Sequence, residues 1–368
     1  MKFSVDSSAL ADAVSWAQKS IHLRPSQPIM TNVVITADNG QITLSGFNYE
    51  SSSVCTLAAY VDAPGQCLVP ASLFAGIVKS LPRGKPMTFE AGERATITSG
   101  TAKFSMQTVP AADYPTLPPM PPKVGTIAGD VFGKASAMVG YAASKDESIV
   151  QLTGVKMTAG ERLSMVATDR YRMSFAHCDW TNEGGPEISA LVPASIVDNV
   201  ARLNAGEIEV FADDSRVGFR VGNRSTATTT IAGEYPNVLP LFPDSRPPNN
   251  ATASVNELLQ VLGRASGISE GIASPVKLTF SGSELTVESG MRDKAVGMET
   301  IAAMADTQGG EPIIVGFNVH YLIDALKSLT TDEVEFGFQI NTGKPALIRE
   351  PGAYDAQQLV MPVKLDSV

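Results

Sequence analysis

The sequence predicts an α+β protein built from three repeated units, each with two helices and antiparallel sheets. The first observation is the phrase Leu-Val-Pro-Ala-Ser, which occurs at 68–72 and again at 191–195, so that Val69 and Val192 lie 123 residues apart. A further step of 123 residues reaches Val315, where a strand-like run again meets a helix-like one. The second observation is that Tyr114 and Tyr235, each followed by proline, lie 121 residues apart. One third of 368 residues is close to 123, so three units account for the whole chain.

Apolar residues at helical spacing predict two helices in each unit. In the first unit, Phe74, Ile77 and Leu81 form such a stripe after Ser72. Ser, Asp or Asn stands where the stripes begin, and its side-chain oxygen can accept a hydrogen bond from a free first-turn amide. The sequence therefore predicts N-caps at Ser7, Ser72, Asp130, Ser195, Ser254 and Asn318. The predicted helices are 7–20, 71–81, 130–143, 195–203, 255–267 and 319–329.

Between the helices, the apolar residues alternate with polar ones, which is typical of strands with one buried face. Short loops such as Asp38-Asn39-Gly40 and Ser281-Gly282-Ser283 favour hairpins, and Asp213-Asp214 is expected in another hairpin turn. Proline-rich segments at 115–124 and 240–250 are the candidate linkers, and the predicted domains are 1–122, 123–246 and 247–368. The predicted strands include 42–45, 96–98, 208–211, 278–280, 285–287 and 334–338.

The charge balance excludes a protein that holds nucleic acid by bulk positive charge. The chain has 28 Lys and Arg against 38 Asp and Glu, a net charge of −10. The predicted helices differ in charge from the rest of the chain, because they carry six basic and five acidic residues and have a net charge of +1. The remainder of the chain therefore has a net charge of −11. Two interpretations stay open: ordinary solvated helix faces, or one helical face that tolerates phosphate beside an acidic remainder that repels it.

The three cysteines, at 55, 67 and 178, have no CxxC spacing and predict free buried thiols in a reducing compartment. The first 20 residues resemble no secretory signal, and no apolar stretch approaches the roughly 18 residues of a membrane span. We therefore expect a cytoplasmic protein without a membrane partner. Three scattered histidines and no phosphate-binding, dinucleotide-binding or nucleophile-elbow motif predict no metal, no cofactor and no catalytic residues.

The order of several motifs resembles one family, the bacterial DNA polymerase III β subunit, or sliding clamp. The resemblance spans the chain and is carried by 1–3 (MKF), 108–115 (TVPAADYP), 166–173 (VATDRYRM), 316–319 (GFNV) and 359–365 (LVMPVKL). It implies three DNA-clamp domains per chain and a head-to-tail homodimer, a six-domain ring that encloses double-stranded DNA and acts as a processivity factor. It also implies partners that bind by short motifs: the replicative polymerase α subunit, the clamp loader, and other replication and repair proteins.

Geometry independently favours two copies if the chain encircles DNA. Six helices side by side at about 9 Å give a loop roughly 17 Å across between axes and about 7 Å clear, less than a major groove about 12 Å wide. Twelve helices give about 34 Å between axes and roughly 24 Å clear, which is enough for a duplex. A closed ring retains DNA by topology, so weak basic contacts suit sliding and a net charge of −10 is no obstacle.

The resemblance also assigns site residues, position by position. It implies DNA contacts at Arg24, Lys79, Arg83, Lys85, Lys145 and Arg202. It implies a partner-peptide pocket walled by Leu152, Thr168, Arg170, Tyr171, Arg172, Met173, Pro236, Leu241, Asn318, Tyr321, Ala346, Met361, Pro362, Val363 and Leu365. It implies a dimer contact between Lys103 and Phe104 of one copy and Ile268 with strand 295–301 of the other.

The chain departs from some relatives at Ser72, Asp146 and Pro240, and it extends past Leu365 by Asp366-Ser367-Val368. An alternative for 361–363 is a terminal strand buried in its own core. Two alternatives to the clamp are a repeat scaffold that binds proteins but not DNA, and a hydrolase using Asp169 or Asp213. The scaffold explains the repeats but not the motif order, and the hydrolase lacks a partner acid or base at a suitable spacing.

Overall fold

The computed structural model describes residues 1–22, 24–184, 187–204, 206–268, 275–291, 295–339 and 343–365. Within them, the three units predicted from the sequence are present and follow one order: a strand, a helix, four or five strands, a helix and three strands. Every strand pairing in these residues is antiparallel. No helix in the described ranges is long and apolar enough to cross a bilayer.

The elements of repeat 1 are β1 (Lys2–Asp6), α1 (Ser7–Ala17), β2 (Asn32–Asp38), β3 (Gln41–Phe47), β4 (Ser51–Ala58), β5 (Tyr60–Ala63), β6 (Gly65–Pro70), α2 (Ala71–Ser80), β7 (Pro86–Ala91), β8 (Arg94–Ser99) and β9 (Ala102–Gln107). Those of repeat 2 are β10 (Lys123–Ala128), α3 (Gly129–Gly140), β11 (Gly154–Ala159), β12 (Leu163–Thr168), β13 (Arg172–Cys178), β14 (Thr181–Asn182), β15 (Ile188–Pro193), α4 (Ala194–Ala201), β16 (Glu207–Ala212), β17 (Arg216–Val221) and β18 (Arg224–Thr229). Those of repeat 3 are β19 (Asn249–Ser254), α5 (Val255–Gly267), β20 (Pro275–Ser281), β21 (Glu284–Met291), β22 (Ala295–Asp306), β23 (Ile313–Asn318), α6 (Val319–Lys327), β24 (Glu333–Phe338), β25 (Ala346–Arg349) and β26 (Ala356–Val360).

The chain divides into two compact units whose boundaries differ from those of the repeats. The first unit is Met1–Gly129, Thr181–Pro186 and Leu203–Thr230, and it contains a five-stranded sheet (β5-β1-β7-β8-β9) and a nine-stranded sheet (β14-β10-β16-β17-β18-β4-β3-β2-β6). The second is Asp130–Trp180, Glu187–Arg202 and Ile231–Val368, with a twelve-stranded sheet (β15-β11-β12-β13-β26-β25-β24-β19-β22-β21-β20-β23). The strands of repeat 2 are therefore shared between the two units.

Two strand pairs join consecutive repeats into these continuous sheets. In the first unit, β4 of repeat 1 pairs with β18 of repeat 2, and in the second unit β13 of repeat 2 pairs with β26 of repeat 3. Helices pack on the sheets through the predicted apolar stripes: Phe74 of α2 lies edge-on to Phe89, with ring centroids 5.9 Å apart. In repeat 3, Leu258 and Leu322 are fully buried on α5 and α6. Burial of these stripes is the main stabilisation of such short helices.

Local signals explain most of the helix and turn positions. Ser254 and Asn318 cap α5 and α6 as predicted. The predicted caps at Ser7 and Ser195 were wrong, because both residues lie inside their helices. Asp6 caps α1 by accepting from two amides, and α4 begins after Pro193 with no side-chain cap.

The caps predicted at Ser72 and Asp130 were wrong for the same reason, and Asp130 is the second residue of α3. Ser72 lies inside α2, which begins after Pro70 without a side-chain cap.

The hairpin predictions are confirmed. Asn39 (φ 49°) and Gly40 (φ 74°) adopt the left-handed conformation that a two-residue turn between twisted strands requires.

Candidate functional site

The turn between β12 and β13 presents an exposed aromatic ring. Asp169 Oδ1 accepts hydrogen bonds from the backbone N–H groups of Tyr171 (3.0 Å) and Arg172 (2.9 Å). Thr168 Oγ1 donates to the carbonyl oxygen of Arg172 at 2.8 Å, and Arg170 takes a left-handed backbone conformation (φ 81°). With its backbone held in this way, Tyr171 remains 54% exposed.

Arg172 lies beneath this turn as the centre of a buried cluster. Its Nε donates to Asp169 Oδ2 at 3.0 Å and its Nη1 to Asp324 Oδ2 at 2.7 Å. The guanidinium carbon lies 5.0 Å from the ring centre of Tyr141 and 4.6 Å from that of Tyr321, within cation–π distance. Burial opposes the charge, but the hydrogen bonds and charges of the two carboxylates raise the pKa of Arg172 above its usual value. Because Arg172 is 5% exposed, its contacts connect the residue that follows α3, the helix α6 and the turn rather than reaching outward.

The end of the chain joins the same cluster. Tyr171 stacks on Tyr321 with ring centroids 6.2 Å apart, and its carbonyl oxygen accepts from the Met361 N–H at 2.8 Å. Val363 N–H then donates to the carbonyl oxygen of Gly316 at 2.9 Å. The segment 361–363 is half-buried, so it differs from the fully buried terminal strand considered as an alternative.

An apolar cavity of about 380 Å³ lies in the second unit. Leu347 and Leu359 form part of its lining and belong to a buried cluster in which Phe175 and Phe242 meet edge-on at 4.6 Å. The sequence pointed only to Leu241 here, because 240–250 was interpreted as a linker. The apolar and proline content of that segment was the signal that could have found Pro243 and Pro247. The cavity is lined by Leu241, Pro243, Pro247, Gly337, Gln339, Lys344, Pro345, Leu347 and Leu359.

The remaining predicted pocket residues differ in exposure. Asn318, besides being buried, caps α6 by accepting from the His320 N–H at 2.9 Å. Four of them are buried, namely Leu152, Thr168, Met173 and Ala346. Three are exposed, namely Arg170, Pro236 and Leu241, and five are half-buried, namely Tyr321, Met361, Pro362, Val363 and Leu365. Four of the predicted residues are linked by contacts: Tyr171 contacts Tyr321 and Met361, and Arg172 contacts Tyr321.

The predicted DNA contacts are exposed side chains near helix ends. Lys79 lies in the last turn of α2, and it lines, with Arg83, a cavity of about 360 Å³ between α1 and α2. Arg24, Lys85 and Lys145 are exposed in loops. Arg202 follows α4, and its Nε donates to Asp198 Oδ2 at 2.8 Å.

The predicted dimer-contact residues lie at sheet and helix ends. Lys103 and Phe104 belong to β9, which is the edge strand of the five-stranded sheet. Phe104 is 37% exposed and Ile268, at the C-cap of α5, is 39% exposed. A Cβ at Gly297 of β22 would lie 2.9 Å from Ile268 Cδ1, so this isoleucine covers the strand there.

The carboxylates of the hydrolase alternative have structural roles. Asp213 Oδ1 accepts from the backbone N–H groups of Ser215 and Arg216, and these hydrogen bonds lower the pKa of Asp213. Asp169 holds the turn described above. Burial raises the pKa values of Cys67 and Cys178 to about 11, as expected of inert thiols. In the described parts of the chain, no group of three metal-ligating side chains occurs.

Comparison with known proteins follows the three repeats. Family models match the DNA polymerase III beta subunit N-terminal domain at residues 1–118, its central domain at 126–237 and its C-terminal domain at 240–364. The beta sliding clamp of Streptomyces coelicolor is 33% identical over 99% of this chain and 100% of its own length.

Solved structures agree in fold. The DNA polymerase sliding clamp of Bacillus subtilis superposes with a TM-score of 0.88 at 25% identity, over 99% of both chains. A sliding clamp from Bartonella birtlesii, bound to griselimycin, gives a TM-score of 0.89 at 24% identity, over 99% of this chain and 100% of that one.

Proposed function

The chain belongs to the DNA polymerase III beta subunit family, the bacterial sliding clamps, and we propose how its own residues perform that function. It is a DNA sliding clamp, a processivity factor in replication and not an enzyme. Two copies join head to tail around double-stranded DNA, and a groove on each copy holds a short peptide of a partner protein. The predicted domains, 1–122, 123–246 and 247–368, are the three segments of each copy.

The observation that carries this proposal is a strand pairing that joins repeat 1 to repeat 2 and repeat 2 to repeat 3. The third equivalent pair, between repeat 3 and repeat 1, is not formed in the described residues of one chain. The β4 strand of repeat 1 pairs with β18 of repeat 2, and its equivalent β13 pairs with β26 of repeat 3. The equivalent strands that remain are β22 of repeat 3 and β9 of repeat 1. In the described residues, β9 is a sheet edge, and an unpaired edge is a template for another chain. In a dimer, β22 of each copy pairs with β9 of the other copy, which completes the third equivalent strand pair.

The internal repeats also supply a register for this contact. Phe104 stands where Thr226 and Gln358 stand in the other repeats, because each ends an equivalent row of paired residues. These rows are Phe3-Phe89-Ile97-Phe104, Gly125-Val210-Phe219-Thr226 and Ala251-Phe336-Ile348-Gln358.

On the other strand, Glu299 stands where Ser53 and Ser174 stand. The equivalent rows of paired residues here are Ile35-Leu44-Cys55, Met157-Met165-Ala176 and Phe280-Leu285-Ile301. Ser53, Ser174 and Glu299 each lie two residues before the last residue of their row. Thr226 pairs with Ser53, and Gln358 pairs with Ser174. We therefore place Phe104 opposite Glu299 of the partner subunit, on the face where Ile268 of the partner subunit covers its own strand.

Retention on DNA then depends on enclosure more than on attraction. The exposed positive charges lie at helix ends and in loops and belong to Arg24, Lys79, Arg83, Lys85, Lys145 and Arg202. Contacts of this kind to phosphate are independent of base sequence and weaken with salt, so they permit sliding. A net charge of −10 keeps the rest of the surface from holding DNA.

The partner groove comprises the apolar cavity and the aromatic cluster near it. Leu359 lines the cavity, and two residues later Met361 contacts Tyr171, so one strand end connects the two. Leu241 is 57% exposed at the cavity lining and offers an apolar anchor point. Short peptides with apolar anchors fit such a surface. The proposed occupants are motifs of the replicative polymerase α subunit, the clamp loader and repair proteins.

The ring is tested by mass and by DNA topology. We expect the wild-type protein to sediment as a dimer near twice 38.7 kDa, and the protein loaded on a nicked circle by a clamp loader to leave when the circle is linearised. Phe104→Glu, which places a like charge opposite Glu299 of the partner subunit, should give a monomer that is not retained. Tyr60→Glu, at the other edge of the same sheet and 73% exposed, is the matched control and should behave as wild type. A wild-type monomer, or equal retention on circles and linear DNA, would contradict the proposal.

A further inference from the structure

The outer face of each repeat's sheet, meaning the face turned away from the helices, carries one equivalent row of paired residues. Each of these rows lies beside the core row that begins with Ile35, Met157 or Phe280. The rows are Leu68-Val34-Ser45-Val54, Leu191-Lys156-Val166-Phe175 and Ile314-Thr279-Thr286-Thr300. Leu68 and Leu191 are buried, whereas Ile314 at the equivalent position is 44% exposed. Repeats 1 and 2 therefore have a cover on this face that repeat 3 lacks in the described residues.

In repeat 1, the cover is the segment 108–122, which leads to repeat 2. Its Val109 forms a backbone bridge with Leu68 on β6, at the edge of the nine-stranded sheet. Further along, a Cβ at Gly218 of β17 would lie 2.6 Å from Met120 Sδ, so this methionine lies directly on the outer face. The segment thus crosses the sheet from β6 to β17, past the β4–β18 pair that joins the two repeats.

In repeat 2, the segment 230–248 covers the equivalent face in the same direction. The Ile231 N–H donates to the carbonyl oxygen of Leu191 at 2.8 Å, on the edge strand β15. Phe242 then packs edge-on against Phe175 of the outer row, with ring centroids 4.6 Å apart. Two different segments therefore cover two equivalent faces by the same path.

Both segments contain a tyrosine followed by proline, and both tyrosines occupy the same place. The hydroxyl of Tyr114 lies beside the backbone of Phe47, and that of Tyr235 lies beside the backbone of Thr168. Burial raises the pKa of both hydroxyls. Phe47 and Thr168 are equivalent, because each lies three residues after the middle residue of its core row. The corresponding residue of repeat 3 is Glu288.

Repeat 3 leaves its outer face open in the part of the chain that the structure describes. There, the chain after β26 reaches this sheet only at the edge strand β23, where Val363 pairs with Gly316. Met298 is 68% exposed, whereas the equivalent residues Ser52 and Met173 are buried. A cluster of exposed apolar side chains on one face indicates an interaction site. The exposed large apolar residues of this face are Val296, Met298, Met304 and Ile314.

We propose that the outer face of repeat 3 binds an extended segment of a partner protein that resembles the two covering segments in chemistry. Such a segment carries Tyr-Pro followed by apolar residues and further prolines. It enters at Ile314, its tyrosine lies beside Glu288, and its next apolar residues cover Thr300 and Met298. Prolines hold such a segment extended before it binds, which lowers the entropy cost of binding. The site shares no residue with the partner groove and lies within one copy, so it does not require the ring.

The test uses a fluorescein-labelled synthetic peptide of residues 109–122 as the probe. Fluorescence anisotropy with the full-length protein should show saturable binding, with a dissociation constant below about 1 mM. The same peptide carrying Tyr114→Ser and Met120→Ser should bind about tenfold more weakly, because it has lost its two largest apolar anchors. An unlabelled peptide with a clamp-binding motif should not displace the probe, and displacement would place the probe in the partner groove and overturn the proposal.

Variants of the protein locate the site. Ile314→Asp should weaken binding of the probe about tenfold, and Met298→Ser about threefold, because both remove apolar contact area. The matched control is Leu73→Asp, at an exposed apolar residue of α2, which should bind the probe as wild type does. Equal unfolding temperatures show that the variants fold. The absence of saturable binding, or equal affinities of Ile314→Asp and Leu73→Asp, would overturn the proposal. Ile314→Asp should remain a dimer that is retained on nicked circles, so failure here differs from failure of the ring.

Discussion

Replacing the buried Arg172 should destabilise the second unit and weaken partner binding together. In Arg172→Met, the carboxylate of Asp169, only 12% exposed, keeps its backbone hydrogen bonds but loses its charged partner. Breaking a buried ion pair costs about 3–5 kcal/mol. The second carboxylate, Asp324, is 42% exposed and regains water, so it adds less than about 1 kcal/mol. The methionine retains apolar contact with the two tyrosine rings. We therefore expect a loss of about 3–4 kcal/mol in the free energy of unfolding.

The assay is urea unfolding followed by fluorescence, together with the affinity for a peptide that carries a clamp-binding motif. Tyr321 stacks on both Arg172 and Tyr171, so we expect the peptide dissociation constant to rise about tenfold. The matched control is Arg170→Met, two residues earlier and exposed, which should change stability by less than about 0.5 kcal/mol. A loss below about 1 kcal/mol for Arg172→Met, or an equal loss for both variants, would refute the reasoning.

Two further predictions concern the groove and acid stability. Leu241→Asp should weaken binding of the same peptide at least tenfold without unfolding the protein. Ile314→Asp, at a residue that is also exposed but lies on β23, should leave the peptide affinity unchanged. Equal affinities of the two variants, measured by calorimetry, would contradict the assigned groove. Burial opposes the charge of Glu335, but its hydrogen bonds to Arg349 and Gly352 hold its pKa below the usual value. Its contribution to stability is therefore complete above the unfolded-state pKa of about 4.5 and is lost as pH falls through the folded-state pKa. Glu335→Gln should be less stable at pH 7 and should lose less stability than wild type between pH 5 and 3, and parallel pH profiles would contradict this.

The elements were predictable from the sequence wherever the signal is local. Six helices follow from apolar stripes, and hairpins such as the one at Asn39-Gly40 follow from turn chemistry, because both depend on a few neighbouring residues. Cap positions failed at Ser7, Ser72, Asp130 and Ser195, where the helix begins directly after the preceding strand and includes the predicted cap. The assigned DNA, pocket and dimer residues stay predictions that the experiments above address.

The segment 240–250 shows why part of the site was hidden. Its prolines are typical of a linker, and only packing places Pro243 and Pro247 against Leu347 and Leu359 around an apolar cavity. Nothing in the neighbouring sequence identifies those partners, which lie about one hundred residues further along the chain.

By itself, the sequence determined the number of repeats, the order of helices and strands within them, and the family, because a repeated fold repeats its local patterns. Only the tertiary structure decided that Arg172 is buried between two tyrosines, that Pro243 and Pro247 line an apolar cavity, and which strand edge stays unpaired. The physical reason is that burial, ion pairing and edge pairing depend on residues far apart in the chain, whose approach no local pattern records.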